Sequence, residues 1–438
     1  MLPVSAEPEP RIRSRTFAAL IENPDYRKFY VGQGVSLVGT WLQDAAVSWI
    51  VYEMTRSEWD LGVVSAAGTL PGLLVGLYAG AMADRVPPKK MILGMQVAQM
   101  LFAFVLALIV GLGVVQIWQM ALVLAMTRVC VAFEMPSRQV FLYDLVGEAS
   151  LPNAIALNSG LFNASKVLGP ALAGVCLVGF GRTACFTLNG LSYLAAIAAL
   201  MMIRRPHIPV LTPHATGGGL LAGLRHLGHD RHLAALFVSM TFFGVVGMGY
   251  SALVPAYARR VVGVGTYGYS VLLASSGLGA TLGALALASL GGLRRKDLLV
   301  PGGMALFGLS LAAAGGLPPF LIEYGARRAG LLVAVLGMFG AGFGALIFYA
   351  STQTQIQTHV PNHLRGRMMG VWMIVFSGSV PLGSLWAGML ANAHGVAAVM
   401  LVSAALCLCV GAIAAATGIL RRPPIPRRTL GTPHQPRA

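Results

Sequence analysis

Twelve stretches of the sequence are apolar enough and long enough to cross a lipid bilayer. About 20 apolar residues span the hydrocarbon layer as a helix. The runs lie near 29–53, 61–83, 91–113, 116–134, 155–178, 183–203, 233–257, 266–290, 298–317, 329–351, 367–391 and 396–420. In lipid every backbone polar group must be satisfied internally, which leaves helices or a closed barrel. A barrel alternates apolar and polar residues, whereas these runs are continuous. Composition agrees: 56% of the 438 residues are hydrophobic and 11% charged, against about 25% charged in a soluble domain. A soluble enzyme, a disordered chain and a disulfide-stapled secreted domain are excluded.

The net charge of +16 invites a nucleic-acid reading. The positions of the charges argue against it, because they sit between the apolar runs. With both termini placed in the cytoplasm, segments on that side carry 23 of the 31 Lys and Arg residues and those on the other side 6. That bias is what the positive-inside rule demands of twelve spans. The remaining two, Arg128 and Lys166, lie within spans. Residues 1 to 26 are polar and Pro-rich without a short apolar core, so the first span is expected to act as its own insertion signal. The five cysteines all fall in apolar runs and no C-x-x-C occurs; neither a disulfide framework nor a metal site is expected. The histidines of R-H-L-G-H-D-R-H (225–232) read as part of a basic surface helix. No cofactor is expected, and no phosphate-binding G-x-x-x-x-G-K-[ST] or zinc-protease H-E-x-x-H is present.

The expected organisation is a cytoplasmic segment 1–28, a six-helix bundle 29–203, a cytoplasmic loop 204–232, a second bundle 233–420 and a basic tail 421–438. The tail, with R-R-P-P-I-P-R-R (421–428), reads as a contact for anionic lipid headgroups. The halves repeat. G-A-M-A-D-R-V-P-P-K-K (80–90) follows the second run, and the basic L-G-G-L-R-R-K-D (290–297) follows the eighth. L-P-N-A (151–154) precedes the fifth run and V-P-N-H (360–363) the eleventh. Pro170 and Pro381 lie 211 residues apart, about half the chain.

Asp44 is the most informative single residue. It lies mid-run, where a charge costs about 2.5–3.5 kcal/mol on insertion scales, so it is expected to face a cavity or a partner. Gln33, Ser36, Thr40, Asp44 and Ser48 are spaced to form one polar stripe on a helix. That stripe is expected to line a central path, with Asp44 exchanging a proton or binding a substrate cation; a static hydrogen-bonded pair is the structural alternative. Arg128, Glu134 and Lys166 are further candidates for coupling or substrate contact, with a structural ion pair as the alternative. Lys166 is expected to need a carboxylate partner, for which Asp44, Glu134 and Asp144 are the candidates. Trp372 and Phe376, four residues apart, share a face and are candidates to line a lipophilic pocket, or else to face lipid.

The turn at 80–90 resembles the loop 2–3 motif of the major facilitator superfamily, G-x-x-x-D-R-x-G-R-K, departing from it at Pro87 and Pro88. S-K-V-L-G-P-A-L-A-G (165–174) resembles that superfamily's antiporter motif, which goes with exporters. W-L-Q-D-A-A-V-S-W-I-V-Y-E-M-T (41–55) and L-P-N-A-I-A-L-N-S-G-L-F-N-A (151–164) are similar to the bacterial branch of drug:proton antiporters holding the enterobactin exporter and macrolide-efflux proteins. The resemblance implies an all-α fold of twelve transmembrane helices in two pseudo-symmetric six-helix bundles, with the substrate path between them. It implies a gating contact at Gly169, Pro170 and Gly174. It also implies a conformational lock at Gly80, Asp84 and Arg85, against the span start near Arg365 to Met368. The expected function is a proton-coupled exporter of a small amphipathic molecule, drug-like or a siderophore, acting as a monomer in a bacterial inner membrane, without nucleic acid and without enzymatic activity. An importer or uniporter of the same fold, or a sensor or enzyme that kept the fold without transport, are the rival readings.

Overall fold

The computed structural model describes residues 17–83, 85–203, 227–228, 230–289 and 298–418. It is all helix among these residues. A short leading helix, Ala18–Glu22, precedes twelve long ones. These are α1 (Pro24–Thr55), α2 (Glu58–Ala83), α3 (Pro88–Gly111), α4 (117–146), α5 (148–179), α6 (Arg182–Met201), α7 (Arg231–Val261), α8 (Thr266–Ser289), α9 (Leu299–Glu323), α10 (Arg327–His359), α11 (Asn362–His394) and α12 (Val396–Thr417). Each matches one apolar run. Helices α4 and α5 form one continuous rod, Ile117–Gly179, broken only at Gly147, whose φ of 70° is left-handed and costs glycine nothing. Ten helical stretches among the described residues are long and apolar enough to cross a membrane, and that rod is one of them. Helix α1 is 32 residues long, and its polar stripe makes it less apolar than the rest.

Local chemistry sets the helix ends. Pro24 opens α1, where its missing N–H is harmless, and Asp25 sits in the positive first turn. Arg56 ends it in the left-handed conformation, φ 53°, its N–H bonded to the Tyr52 carbonyl. Asp230 caps α7 by accepting from the backbone N–H groups of His232 and Leu233, at 2.9 and 3.0 Å. Helix α7 is irregular. It passes through a π turn (Phe243–Gly247), a 3₁₀ stretch (Met248–Leu253) and a second π turn (Tyr257–Val261). Such departures mark places where a helix can bend.

Packing repeats between the halves. In the first half α2 packs on α4, α3 on α4 and α6, and α1 on α5 and α6. In the second half α8 packs on α10, α9 on α10 and α12, and α7 on α11 and α12. Adding six to each number converts one set into the other. The most extensive pairings between the halves are α5 with α8 and α2 with α11, and the same operation exchanges them. This is a pseudo-two-fold, and its seam is formed by α2, α5, α8 and α11. Small residues permit the close approaches, as in membrane helix packing generally. A Cβ on Gly303 would lie 2.7 Å from the Phe348 backbone nitrogen, and one on Gly337 2.7 Å from Ala314 Cβ.

Successive turns alternate between two ends of the bundle. We call the end carrying Ala18, Pro88, Asp230, His359 and Thr417 the terminal end, and the end carrying Arg56, Gly181, Arg260 and Gly395 the distal end. Asp84 and segments 1–16, 204–226, 290–297 and 419–438 lie outside the described residues, and so do the expectations for the basic tail and the basic turn of the second half. The same holds for His226 and His229. His232 is described and lies beside His359, ring centroids 5.1 Å apart.

Candidate transport site

Helix α1 directs its polar residues to several different partners. Arg128, on α4, donates through Nη2 to Asp44 Oδ2 at 2.5 Å. The pair is partly open, the Asp44 side chain 20% and Arg128 34% exposed. Ser48 and Thr40 bond back to carbonyls one turn earlier, Asp44 and Ser36 respectively. Thr40 also shares a 3.2 Å hydrogen bond with the Tyr193 hydroxyl of α6. Gln33 and Ser36 are buried inside the first half. Ser36 donates to Gln96 Oε1 at 3.4 Å, and Gln33, with its amide oxygen turned to it, accepts from Arg138 at 3.3 Å.

Glu134 is the centre of a second set. Its side chain is 2% exposed and accepts from Gln96 Nε2 (2.6 Å), Gln99 Nε2 (2.7 Å) and Arg138 Nε (2.7 Å). Tyr193 donates to Gln99 Oε1 at 3.3 Å, which ties this set to Thr40 and so to α1. A buried carboxylate accepting three bonds beside a guanidinium is fully satisfied.

Lys166 has no carboxylate within ion-pair distance among the described residues. Asp44 is taken by Arg128 and Glu134 by Arg138. The Lys166 ammonium lies instead over the rings of Trp41 and Phe162, 5.2 and 5.5 Å from their centroids. Those two rings meet edge-on at 5.7 Å. The expected carboxylate partner is thus replaced by cation–π contact, worth about 0.5–2 kcal/mol.

Gly169 and Gly174 sit at close approaches. A Cβ on Gly169 would collide with Trp41 of α1, and one on Gly174 would lie 2.6 Å from Ser270 Cβ of α8. Pro170, buried between them, is inside the helix. Arg85 is exposed in the turn after α2. Gly80 lies in that helix, while Asp84 and the side chains of Arg365 and Arg367 lie outside the described residues. Trp372 and Phe376 stack at 5.1 Å and 5°, with Tyr349 edge-on to Phe376 at 5.1 Å. Trp372 is buried, and its indole N–H has no hydrogen-bond partner among the described residues.

Polar contacts join the halves at the distal end. Arg260 of α7 lies 3.1 Å from Glu58 of α2 and donates to the Arg56 carbonyl at 2.8 Å. Tyr269 of α8 donates to the Ala45 carbonyl at 3.1 Å, its ring stacked on Trp49 at 5.2 Å. There Gly62 and Gly388 bring α2 and α11 together, a Cβ on Gly62 meeting the Ser384 carbonyl at 2.5 Å. The seam helices also carry exposed side chains. On α5 the exposed Leu168, Leu172 and Val175 form one face. On the opposite face Ile155, Ser159 and Phe162 are exposed, Phe162 by 41%, and Lys166 is half-buried. On α11, Met373 is exposed opposite Leu382 and Met389. The shift of 211 residues that superposes Pro170 on Pro381 also superposes Phe162 on Met373.

The profile of the transmembrane secretion effector family matches residues 14–424. The chain belongs to this family of major facilitators. This major facilitator is 27% identical over 397 residues to the multidrug efflux pump Tap of Mycolicibacterium fortuitum, covering 87% of this chain and 91% of that one. It is 24% identical over 394 residues to macrolide efflux protein A of Streptococcus pyogenes, covering 88% and 95%, and 20% identical over 371 residues to the staphyloferrin A transporter of Staphylococcus aureus, covering 84% and 90%. Among solved structures, a nucleoside transporter matches with a TM-score of 0.69 at 14% identity, covering 91% of this chain and all of that one. A bacterial homologue of the human lysosomal transporter Spinster, inward-facing and occupied, matches with 0.70 at 14% identity, covering 91% and 98%. The protein is a multi-pass membrane transporter and not an enzyme.

The polar anchors Gln96, Gln99, Arg138 and Tyr193, and the distal pair Glu58 and Arg260, are additions that sequence reasoning did not single out. Gln96 and Gln99 in an otherwise apolar run are the only advance signal for the first group. Glu58 and Arg260 stand at run ends, where charges are ordinary.

Proposed function

We propose that this transporter is a proton-coupled exporter of a small amphipathic molecule, drug-like or a siderophore, working by alternating access. It acts as a monomer in a bacterial inner membrane with both termini, and hence the terminal end, in the cytoplasm. The observation that carries the reading is the partly open Asp44–Arg128 pair, half-way along two helices of the first half. Arg128 keeps its charge at any physiological pH, so Asp44 is the member of the pair through which a proton can uncouple it. A proton arriving from outside frees Arg128, and loss of that proton to the cytoplasm restores the pair. Glu134 is held by three donors and serves to position α1, α3 and α4.

In this reading the halves 29–203 and 233–420 rock about the α2/α11 and α5/α8 seams. The arrangement described above is the inward-open one, with the Arg260–Glu58 and Tyr269–Ala45 contacts sealing the outer side. Gly169, Pro170 and Gly174 form the part of the seal carried by α5. Asp84 and Arg85 lock the cytoplasmic side in the opposite state. The names of the relatives, efflux pumps and a siderophore transporter, support the substrate class and the direction. The test is flux in proteoliposomes under an imposed pH gradient, with a macrolide, a lipophilic dye and a siderophore as cargo. Gradient-driven accumulation on the acidic side is expected for at least one of them; no gradient-dependent movement of any contradicts the reading.

A further inference from the structure

Among the described residues, the charged side chains deep within the spans belong to the first half, and they do not balance. Asp44 is matched by Arg128 and Glu134 by Arg138. Lys166 is left over, its ammonium touching only the faces of Trp41 and Phe162 among the described residues. An ammonium held in a low-dielectric seam by ring faces alone lacks the strong acceptor that would complete its solvation. Its setting is also open to a visitor. Lys166 is on the α5 face that carries the exposed Phe162, opposite the exposed Leu168, and its own carbonyl lies 2.8 Å from where a Cβ on Gly277 of α8 would be. The residue therefore sits at the joint between the halves, where alternating access places a cargo. Met373, the counterpart of Phe162, is an exposed apolar side chain on the second half.

We propose that Lys166 receives a carboxylate of the transported molecule, whose aromatic or lipophilic body rests on Trp41 and Phe162. This rests on the exporter reading and deepens it: the cargo class is an amphipathic organic anion, not a cation. The cargo supplies the counter-charge that the chain withholds, and binding it adds a charge-assisted hydrogen bond that no neutral analogue can make. Binding also bridges α5 to the α8 seam at the level where the halves hinge.

The test is equilibrium binding to the full-length protein in detergent, read as energy transfer from tryptophan to dansyl. Three probes share one body: dansylglycine carries a carboxylate, dansylglycinamide is neutral, and dansylcadaverine is cationic. Wild type is expected to bind dansylglycine about tenfold more tightly than either of the others. Lys166→Met should bring the three to equal affinity, and Lys166→Arg should keep the preference, with both variants eluting as the wild type on size exclusion. Dansylcadaverine binding more tightly than dansylglycine, equal binding of all three to wild type, or a preference for dansylglycine that survives in Lys166→Met overturns the proposal. Because binding needs no gradient, these outcomes leave the coupling and direction of transport to be judged by flux.

Discussion

The guanidinium of Arg260, at the end of α7, lies 3.1 Å from the carboxylate of Glu58, the first residue of α2. It is a charged link between the halves at the distal end, and it is lopsided: Glu58 is 2% exposed and Arg260 53%. The open side screens the pair, which places its worth near the 0.2–1 kcal/mol of exposed ion pairs. Arg260→Ala is therefore expected to loosen the distal seal without unfolding the chain. The check is Ser48→Cys in a cysteine-free background, labelled by a membrane-impermeant maleimide from the distal side. Labelling should speed up by as much as about fivefold, the factor that corresponds to about 1 kcal/mol at room temperature. An unchanged rate would mean that the seal does not depend on this pair.

Glu134 and Asp44 should differ sharply in what their loss does. Glu134→Gln leaves the Arg138 guanidinium in a largely buried site without its carboxylate, a change that costs about 3–5 kcal/mol in buried pairs. The 22% exposure of the Arg138 side chain puts the lower figure in force. Asp44→Asn acts on a more open pair and should cost less. Thermal unfolding in detergent separates the two: Glu134→Gln should lower the midpoint several degrees more than Asp44→Asn. The reverse order would move the structural role to Asp44.

Two glycines test packing within a half against packing across the seam. Gly279 of α8 faces the Phe339 carbonyl of α10 inside the second half, where an added Cβ would collide with backbone. Gly279→Ala should destabilise the fold by about 1–3 kcal/mol, the usual cost of overpacking. Gly62 faces the Ser384 carbonyl across the seam, and there the halves can part. Gly62→Ala should leave the unfolding midpoint near wild type and raise distal labelling of Ser48→Cys. Equal loss of stability in both variants would argue that the seam is a fixed core.

The cap of α7 has its own pH signature. Burial pushes the Asp230 carboxyl up, but bonds from the Leu233 N–H, His359 and the His232 N–H outweigh it and hold the group below its ordinary value of 3.8. A folded pKa below the unfolded one stabilises fully above the unfolded value, and that stability is lost as pH falls through the folded one. Asp230→Asn should therefore melt below wild type at pH 6, with the gap closing at pH values under 3.8. A gap that persisted undiminished in acid would show that the charge of Asp230 does not matter to the cap.

Spans were legible in the sequence because hydropathy is a property of each run by itself. All twelve appear where apolar length demands them. The continuation of α4 beyond 134 was hidden, since Glu134 and Arg138 interrupt the run, and the partners that satisfy them, besides each other, are Gln96, Gln99 and Gln33 on other helices. Partners were harder, because they depend on how each helix is rotated and on which helix stands beside it. Asp44 was identifiable as a mid-membrane acid; α4 and α5 both lie beside α1, and it is the helix rotation that turns Arg128 to Asp44 and Lys166 to Trp41. The stripe on α1 was correctly spaced on one helix face, yet Gln33 and Ser36 turn into the first half because α3 and α4 offer them partners there. Arg260 read as a flanking charge, and its link to Glu58 needs both halves in place.

The most direct test of proton coupling at Asp44 compares two fluxes of one cargo in proteoliposomes carrying Asp44→Asn. Counterflow exchanges labelled for unlabelled cargo without a gradient, and pH-driven flux requires proton movement. The account expects counterflow to persist within about twofold of wild type while pH-driven flux falls at least about tenfold. Wild-type pH-driven flux in Asp44→Asn would contradict it outright.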